Sequence, residues 1–359
     1  MVAIHQLVAG FSRGDAISNE AIVLRALFRE WGFESRIYCE RRRILPELRA
    51  EAIDLDDLHP VCKPEDIVFL HLSIGSRVNE LFRGLPGKKA ILYHNITPPQ
   101  YFQRIQPSTA ADLARGRTQA AGLAGAAMVN LADSAFNAAE LASWGYPPAA
   151  VFPLMLDFEK LGGSPDRAVM RRFGDGKVNI LFVGRCAPNK KIEDVITAFA
   201  YFQKGVEPNS RLILAGSFAG TERYQRLLVT MVRDLKLDNV VFTGSIPQAQ
   251  LNACYRSAHL FLCMSEHEGF CIPLVESLVH RVPVLAFSAA AVPETLGGAG
   301  VLFNGKQFEA IAEMMGRITR DPALRAVLLA GQDKRVLQLK ARNLGQELRA
   351  HLAPLLGSA

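Results

Sequence analysis

A chain of 359 residues is long enough for two domains of ordinary size, and 49% hydrophobic with 21% charged residues describes a globular chain with a sizeable core rather than a disordered or fibrous one. The net charge of +6 suits an anionic partner, but it is spread along the chain, and basic residues are nowhere interleaved with aromatics, which argues against nucleic acid. Twenty Phe against two Trp argue against a module that stacks sugars on tryptophan, and no window reaches about 18 uninterrupted apolar residues, the length a membrane-spanning helix needs.

In chain order, Val2 to Val8 reads as a strand, followed by a Gly-rich stretch from Gly10 to Gly14 and a helix from Ala16 to Trp31. Glu34 to Tyr38, Asp66 to Leu72 and Ala90 to Tyr93 are further strands, and the Ala-rich run from Thr109 to Asn130 has helical character. Pro, Gly and charged residues gather between Pro153 and Asp166, which predicts a linker. Beyond it, the runs Asn179 to Val183, Arg211 to Ala215, Asn239 to Thr243, His259 to Met264 and Val282 to Phe287 have the length of buried parallel strands. Helical patterns fill the gaps at Ile192 to Lys204, Thr221 to Lys236, Gln248 to Ser257 and Pro273 to His280, and the tail from Arg335 to Leu356 reads as one or two amphipathic helices. Alternation of strand and helix in both halves predicts an α/β chain of two Rossmann-like domains.

Six cysteines occur without a C-x-x-C pair or zinc spacing, and with an N-terminus that lacks a signal-peptide pattern they predict a reducing, cytoplasmic setting. Short basic runs at Arg41-Arg42-Arg43 and Lys88-Lys89 read as solvated edges, and Asp54-Leu55-Asp56 reads as an acidic surface turn rather than a metal site. Gly300 to Gln307 falls short of a phosphate-binding P-loop, because Gln replaces the hydroxyl residue and Val301-Leu302-Phe303 looks like a strand.

The segment Ser265-Glu266-His267-Glu268-Gly269-Phe270-Cys271-Ile272-Pro273-Leu274-Val275-Glu276 follows directly on a buried-looking strand, the end at which open α/β sheets bind ligands. Three acidic groups there are costly unless they are used or solvated. Gly269 permits close backbone approach, Pro273 favours the first turn of a helix, and the N–H groups of Gly269, Phe270 and Cys271 are placed to meet an oxygen or anion. Glu276 lies eight residues after Glu268, one turn inside that helix. A second loop, Gly184-Arg185-Cys186-Ala187-Pro188-Asn189-Lys190-Lys191, sits between strand and helix; cations at a helix start are disfavoured by the dipole, which argues for an anion.

Taken together, these segments resemble the signatures of glycosyltransferase family 4, retaining enzymes of the GT-B fold with two facing Rossmann-like domains and a cleft between them. The resemblance implies that Glu268 contacts the donor sugar, that Glu276 binds the nucleotide ribose, and that Arg185 and Lys190 clamp the donor diphosphate beside Gly269, Phe270 and Cys271. Cys271 and Lys191 stand where the family often has Gly, and Lys191 is able to share the role of Lys190. In the N-terminal half the resemblance implicates Gly14 and Asp15, the latter alternatively only a helix cap, and His94 in Tyr93-His94-Asn95, alternatively a structural histidine; Ser134 to Asn137 resembles the segment before the family's linker, alternatively only a strand-to-helix turn.

The implied domains are residues 1–160 on the acceptor side, 161–335 for the nucleotide sugar, and 336–359 as a helical tail that packs back on the first. The implied reaction moves a hexose from a nucleoside diphosphate sugar to a hydroxyl of a glycan or glycolipid acceptor, with no metal and no cofactor, in surface polysaccharide or glycolipid biosynthesis. A membrane-borne acceptor would be met from the membrane surface. The alternatives are a sugar-nucleotide epimerase or phosphorylase of the same fold, and a catalytically silent nucleotide-sugar-binding subunit.

Overall fold

The computed structural model describes residues 2–356, and these divide into two compact units: residues 2–103, 107–155 and 343–356 in unit 1, and residues 104–106 and 156–342 in unit 2. The divisions at 155/156 and 342/343 differ by a few residues from those expected at 160/161 and 335/336.

Unit 1 is built on a parallel sheet of seven strands: β1 Ala3–Leu7, β2 Glu34–Cys39, β3 Ile53–Asp54, β4 Ile67–Leu72, β5 Lys88–Tyr93, β6 Val129–Ala132 and β7 Ala150–Val151. Their order is β3-β2-β1-β4-β5-β6-β7, so the chain reverses its direction of growth between β1 and β4. Helices α1 Ala16–Glu30, α2 Arg77–Phe82, α3 Pro107–Gly122 and α4 Ala135–Ser143 supply the crossovers. The strands are apolar on both faces because helices cover both. One cover is the last helix of the chain, Leu344–Leu356, whose Leu348, Leu352 and Leu355 are buried in one cluster with Ile4, Leu24, Phe28, Phe69 and Leu92.

The helix expected from Thr109 to Asn130 does not run that far. It stops at Gly122, Gly125 turns with a φ of 72°, and Val129–Ala132 becomes β6 between β5 and β7. Alanine favours helix locally, but pairing on both edges and burial of all four residues of β6 outweigh that preference.

Unit 2 repeats the plan. After α5 Phe158–Leu161 and α6 Arg167–Phe173 come β8 Val178–Val183, α7 Ile192–Gly205, β9 Ser210–Ala215, α8 Glu222–Asp234, β10 Val240–Gly244, α9 Gln248–Ser257, β11 Leu260–Cys263, α10 Ile272–Val279, β12 Val284–Phe287, α11 Val292–Leu296, β13 Val301–Phe303, α12 Phe308–Arg320 and α13 Pro322–Ala341. With these introduced, the Leu344–Leu356 helix of unit 1 is α14. The parallel order is β10-β9-β8-β11-β12-β13, so the switch point lies between β8 and β11. Ligands of such sheets bind outside the carboxyl ends of the strands at that point. The expected linker therefore contains a short helix, α5, and the expected tail is two helices that part company: α13 belongs to unit 2 and α14 to unit 1.

No described helix is long and apolar enough to cross a membrane. Arg42 and Arg43 lie in a single 3-10 turn and pair with Glu40 at 2.8 and 3.7 Å. Asp56 pairs with Arg77 at 2.6 Å, so the acidic turn at 54–56 has its own cation.

Candidate functional site

In unit 2 the loops after β8 and β11 lie side by side because those strands are neighbours. The first, Gly184 to Lys191, ends in a 3-10 turn over Pro188–Lys190. It is fastened to the second twice: Asn189 Nδ2 donates to the His267 carbonyl at 2.9 Å, and the Glu266 N–H donates to the Asn189 carbonyl at 3.0 Å. Gly216, at the end of β9, closes on the first loop from the other side. A Cβ there would stand 1.9 Å from the Gly184 carbonyl oxygen, so only glycine fits.

The fastening brings Lys190 onto Glu268. Its ammonium lies 2.6 and 2.7 Å from the two carboxylate oxygens, and Glu268 is buried. Burial works against the Lys190 charge, but Glu268 outweighs it and holds the ammonium above the usual lysine range. Lys191 turns elsewhere, to Glu193 at 3.2 Å and Glu266 at 3.9 Å, and Lys306 bridges Asp194 at 2.6 Å and Glu266 at 2.7 Å. Arg185 is exposed, and its guanidinium donates to the Ala219 carbonyl at 3.4 Å.

Both residues that replace the family's glycine adopt left-handed backbone: Lys191 has a φ of 51° and Cys271 a φ of 72°. Each is the cap residue of the helix that follows, α7 or α10. Helix α10 starts without a side-chain cap, whereas the first N–H of α7 donates to the Tyr224 hydroxyl at 3.1 Å. Gly269 is half-buried, Phe270 is buried with its carbonyl accepting from the Thr295 hydroxyl, and Glu276 is buried with one carboxylate oxygen accepting from the Tyr255 hydroxyl at 2.7 Å. Burial raises the Glu276 carboxyl above its usual range, against the lowering effect of Tyr255.

In unit 1, Asp15 caps α1. One carboxylate oxygen accepts from the Ser18 N–H at 2.8 Å and from its hydroxyl at 2.7 Å, and Gly14 supplies the turn before it with a φ of 73°. Ser134 caps α4 in the same way, accepting from Asn137. His94 is not open on a loop. It is buried with both ring nitrogens engaged, Nδ1 at 3.0 Å from Asp133 and Nε2 at 2.8 Å from His71. Beneath it, Glu20 of α1 accepts from the Met155 N–H at 2.9 Å, and burial pushes its carboxyl up to about 8.

Asp133, His71, Gln6 and Glu20 went unmarked in the sequence, as did Asn189 and Lys306. The signal was present for the first three: polar residues inside or at the end of strands buried on both faces must find partners.

A separate trio, His5, Cys62 and Asp66, brings three potential ligand atoms within 4.8 Å of one another. Each is already committed to the scaffold. Asp66 accepts from the Ala3 and Lys63 N–H groups, each at 2.9 Å, and from His5 at 3.2 Å; Cys62 donates to the Pro86 carbonyl, and burial pushes its thiol up to about 11. The trio ties the starts of β1 and β4 together, and a protonated thiol is a poor metal ligand.

Set beside known proteins, residues 170–335 match the family described as glycosyl transferases group 1. O-antigen chain mannosyltransferase B of Escherichia coli is 26% identical over 150 residues, 42% of this chain and 39% of that protein. A GDP-mannose-dependent alpha-mannosyltransferase of Mycobacterium tuberculosis is 30% identical over 183 residues, 50% of this chain and 44% of that one. The matched stretches thus span less than half the length of these relatives. Among solved structures, sucrose-phosphate synthase from Thermosynechococcus elongatus is similar with a TM-score of 0.74 at 16% identity, over 99% of each chain. Anabaena HepE, solved in complex with UDP and glucose, has a TM-score of 0.72 at 16% identity, over 99% of this chain and 100% of that one. The fold is therefore GT-B, two parallel-sheet Rossmann-like domains.

Proposed function

We propose that this chain, whose residues 170–335 match the family described as glycosyl transferases group 1, transfers a hexose from a nucleoside diphosphate sugar to an acceptor hydroxyl of a glycan or glycolipid. The observation that carries the reading is the Lys190–Glu268 pair at the switch point of unit 2, a half-buried ammonium on a buried carboxylate, with the uncapped start of α10 three residues further along the chain. A pair withdrawn from water to this degree contributes little net stability, so its presence is better explained by a ligand that uses both members.

A nucleoside diphosphate would draw Lys190, with Arg185, onto its phosphates, and the uncapped N–H groups at the start of α10 add partial positive charge. Glu268, released from Lys190, is then free to take the sugar hydroxyls, and Glu276 to take the ribose. Negative charge growing on the departing diphosphate is met by these fixed cations, and on that ground we assign the reaction no metal requirement. With its carboxylate oxygens given over to the sugar hydroxyls, Glu268 is poorly placed to attack as a nucleophile. That favours attack from the face the diphosphate leaves, with retention of configuration, over a double displacement.

Asp15 remains a candidate at the unit 1 site, but its carboxylate already serves as the cap of α1. The relatives named as mannosyltransferases favour GDP-mannose as the first donor to try, and a lipid-borne acceptor would be met from the membrane surface.

Release of nucleoside diphosphate from GDP-mannose and UDP-glucose, measured with a glycan or glycolipid acceptor and with EDTA present, tests the assignment. Glu268→Ala is expected to lower turnover at least about a hundredfold, roughly 2.7 kcal/mol of barrier, while nucleotide binding persists. Near-normal turnover in that variant would sink the role of Glu268, and loss of wild-type activity in EDTA would sink the metal-free route.

A further inference from the structure

Four neighbouring strands of unit 1 carry a row of hydrogen-bonded polar groups across the sheet. Gln6 lies on β1, His71 on β4, His94 just past β5 and Asp133 just past β6, and those strands are adjacent in that order. The side chains meet in the same sequence: Gln6 Oε1 to His71 Nε2 at 3.0 Å, His71 Nδ1 to His94 Nε2 at 2.8 Å, and His94 Nδ1 to Asp133 Oδ2 at 3.0 Å. The two imidazole planes are within 3° of parallel with centroids 5.1 Å apart, a separation compatible with an edge-to-edge hydrogen bond between the ring nitrogens. All four residues are buried.

The positions of the protons follow from this row. The Gln6 amide nitrogen donates to the Ala21 carbonyl at 3.1 Å and lies 3.4 Å from the Ser35 hydroxyl, so the amide oxygen is the atom that faces His71; reversing the amide would set two oxygens against each other. An amide oxygen only accepts, so the hydrogen of His71 sits on Nε2. His71 is neutral, because burial and then the neighbouring His94 hold it well below the usual histidine range. Its Nδ1 is therefore a bare lone pair and accepts, which places a hydrogen on His94 Nε2. One more proton must lie between His94 Nδ1 and Asp133, since a bare nitrogen facing an ionised carboxylate at that distance would set two lone pairs together.

We infer that His94 is a fixed imidazolium whose charge state is set by the Gln6 amide acting through His71, and that its part in transfer is played by its charge and not as a general base. Burial opposes that charge and raises the Asp133 carboxyl as well, while the 3.0 Å contact between them lowers that carboxyl and, by charge and hydrogen bond, holds His94 above the usual histidine range. The other groups that face it act the same way: Glu20 from α1 once ionised, and Asp15 from the cap of α1, while the neutral His71 on β4 only accepts its hydrogen. His71 and Gln6 are then positioning residues. A cation held at the carboxyl end of β5, with no free nitrogen, favours negative charge that develops on a bound donor. Only this last consequence rests on the proposed transferase reading; the charge state does not.

The test is nitrogen-15 NMR of histidine-labelled full-length protein from about pH 5.5 to about pH 8.5, which brackets the usual histidine range. Both His94 nitrogens are expected to carry hydrogen across the range, and His71 only one. Gln6→Met removes the acceptor and lets His71 place its hydrogen on Nδ1, facing a bare His94 Nε2. His94 is then expected to become neutral near pH 7, its pKa falling by about 1 to 3 units as expected for the loss of a charge-stabilising contact. If Gln6→Met does not fold, Asp133→Asn is expected to give the same neutral His94. A wild-type His94 with one bare nitrogen at neutral pH, or an unchanged His94 titration in the folded variants, overturns the inference. So does a kcat that rises through an ionisation near the usual histidine value and loses that limb in His94→Phe. Absence of any nucleotide-sugar turnover would count against the proposed function alone, because the NMR result stands without it.

Discussion

Lys191 and Cys271 show what a single residue contributes at this site. A non-glycine residue in left-handed backbone costs about 1–2 kcal/mol, and two such residues cap the helices that follow the two loops of the unit 2 site. The sequence marks both positions as departures from the family's glycine, but the strain becomes visible only with the dihedrals. Glu20 is the opposite case, a residue that composition and spacing leave unremarked and that burial turns into a titrating group near neutrality. Its folded carboxyl is raised from 4.5 to about 8, so the folded state holds the proton more tightly than the unfolded chain does. That stabilisation is complete below about pH 4.5 and is lost as pH rises towards 8. Glu20→Gln mimics the protonated form. Urea unfolding of the two proteins should therefore diverge between those limits in favour of the variant, by roughly 1.4 kcal/mol per pH unit at most. Parallel pH profiles would show that Glu20 ionises normally.

At the scale of elements, strands of unit 2 were legible because a run of five or six apolar residues bounded by turn residues has few other fates. Helix α9 spans Gln248–Ser257 as its pattern predicts, and β13 occupies Val301–Phe303, the run that argued against a phosphate loop. The strand at the end of the Ala-rich run is hidden from local propensity, because β6 is fixed by pairing with β5 and β7 from other parts of the chain. The candidate site was legible to the same degree. Glu268, Lys190 and Glu276 carry a motif, whereas Asn189, Gln6 and His71 matter through contacts with residues 65 to 78 positions away in the case of Gln6 and Asn189, and through a ring 23 positions away in the case of His71. Gly216 belongs with them. Because its missing Cβ makes room for the Gly184 carbonyl, Gly216→Ala is expected to push the loop that carries Lys190 out of register. Strain of this size commonly costs about 1–3 kcal/mol. The variant should melt lower and bind nucleoside diphosphate at least about tenfold more weakly, the second effect alone being 1.4 kcal/mol. Unchanged affinity would show that the two loops move independently.

The whole molecule is two α/β units, each with its own core, and the chain crosses between them more than once: α13 completes unit 2 and α14 returns to complete unit 1. The sequence predicted a tail that packs back but not how deeply. Leu348, Leu352 and Leu355 lie within the unit 1 core, so α14 is a structural part of it. Leu352→Ala is expected to destabilise unit 1 by about 2–5 kcal/mol, seen as an early step in thermal unfolding, while nucleotide binding by unit 2 persists at lower temperature. A variant with wild-type melting would mean that α14 is only loosely attached.

The central claim is that the loops after β8 and β11 of unit 2 hold a nucleoside diphosphate. Titration calorimetry with UDP, GDP, ADP and dTDP tests it without knowledge of the sugar or the acceptor. At least one nucleotide is expected to bind at a single site, with affinity falling at least about tenfold, or 1.4 kcal/mol, when Arg185→Ala and Lys190→Ala are combined. Failure of all four to bind, or an affinity that the double variant leaves unchanged, would contradict it.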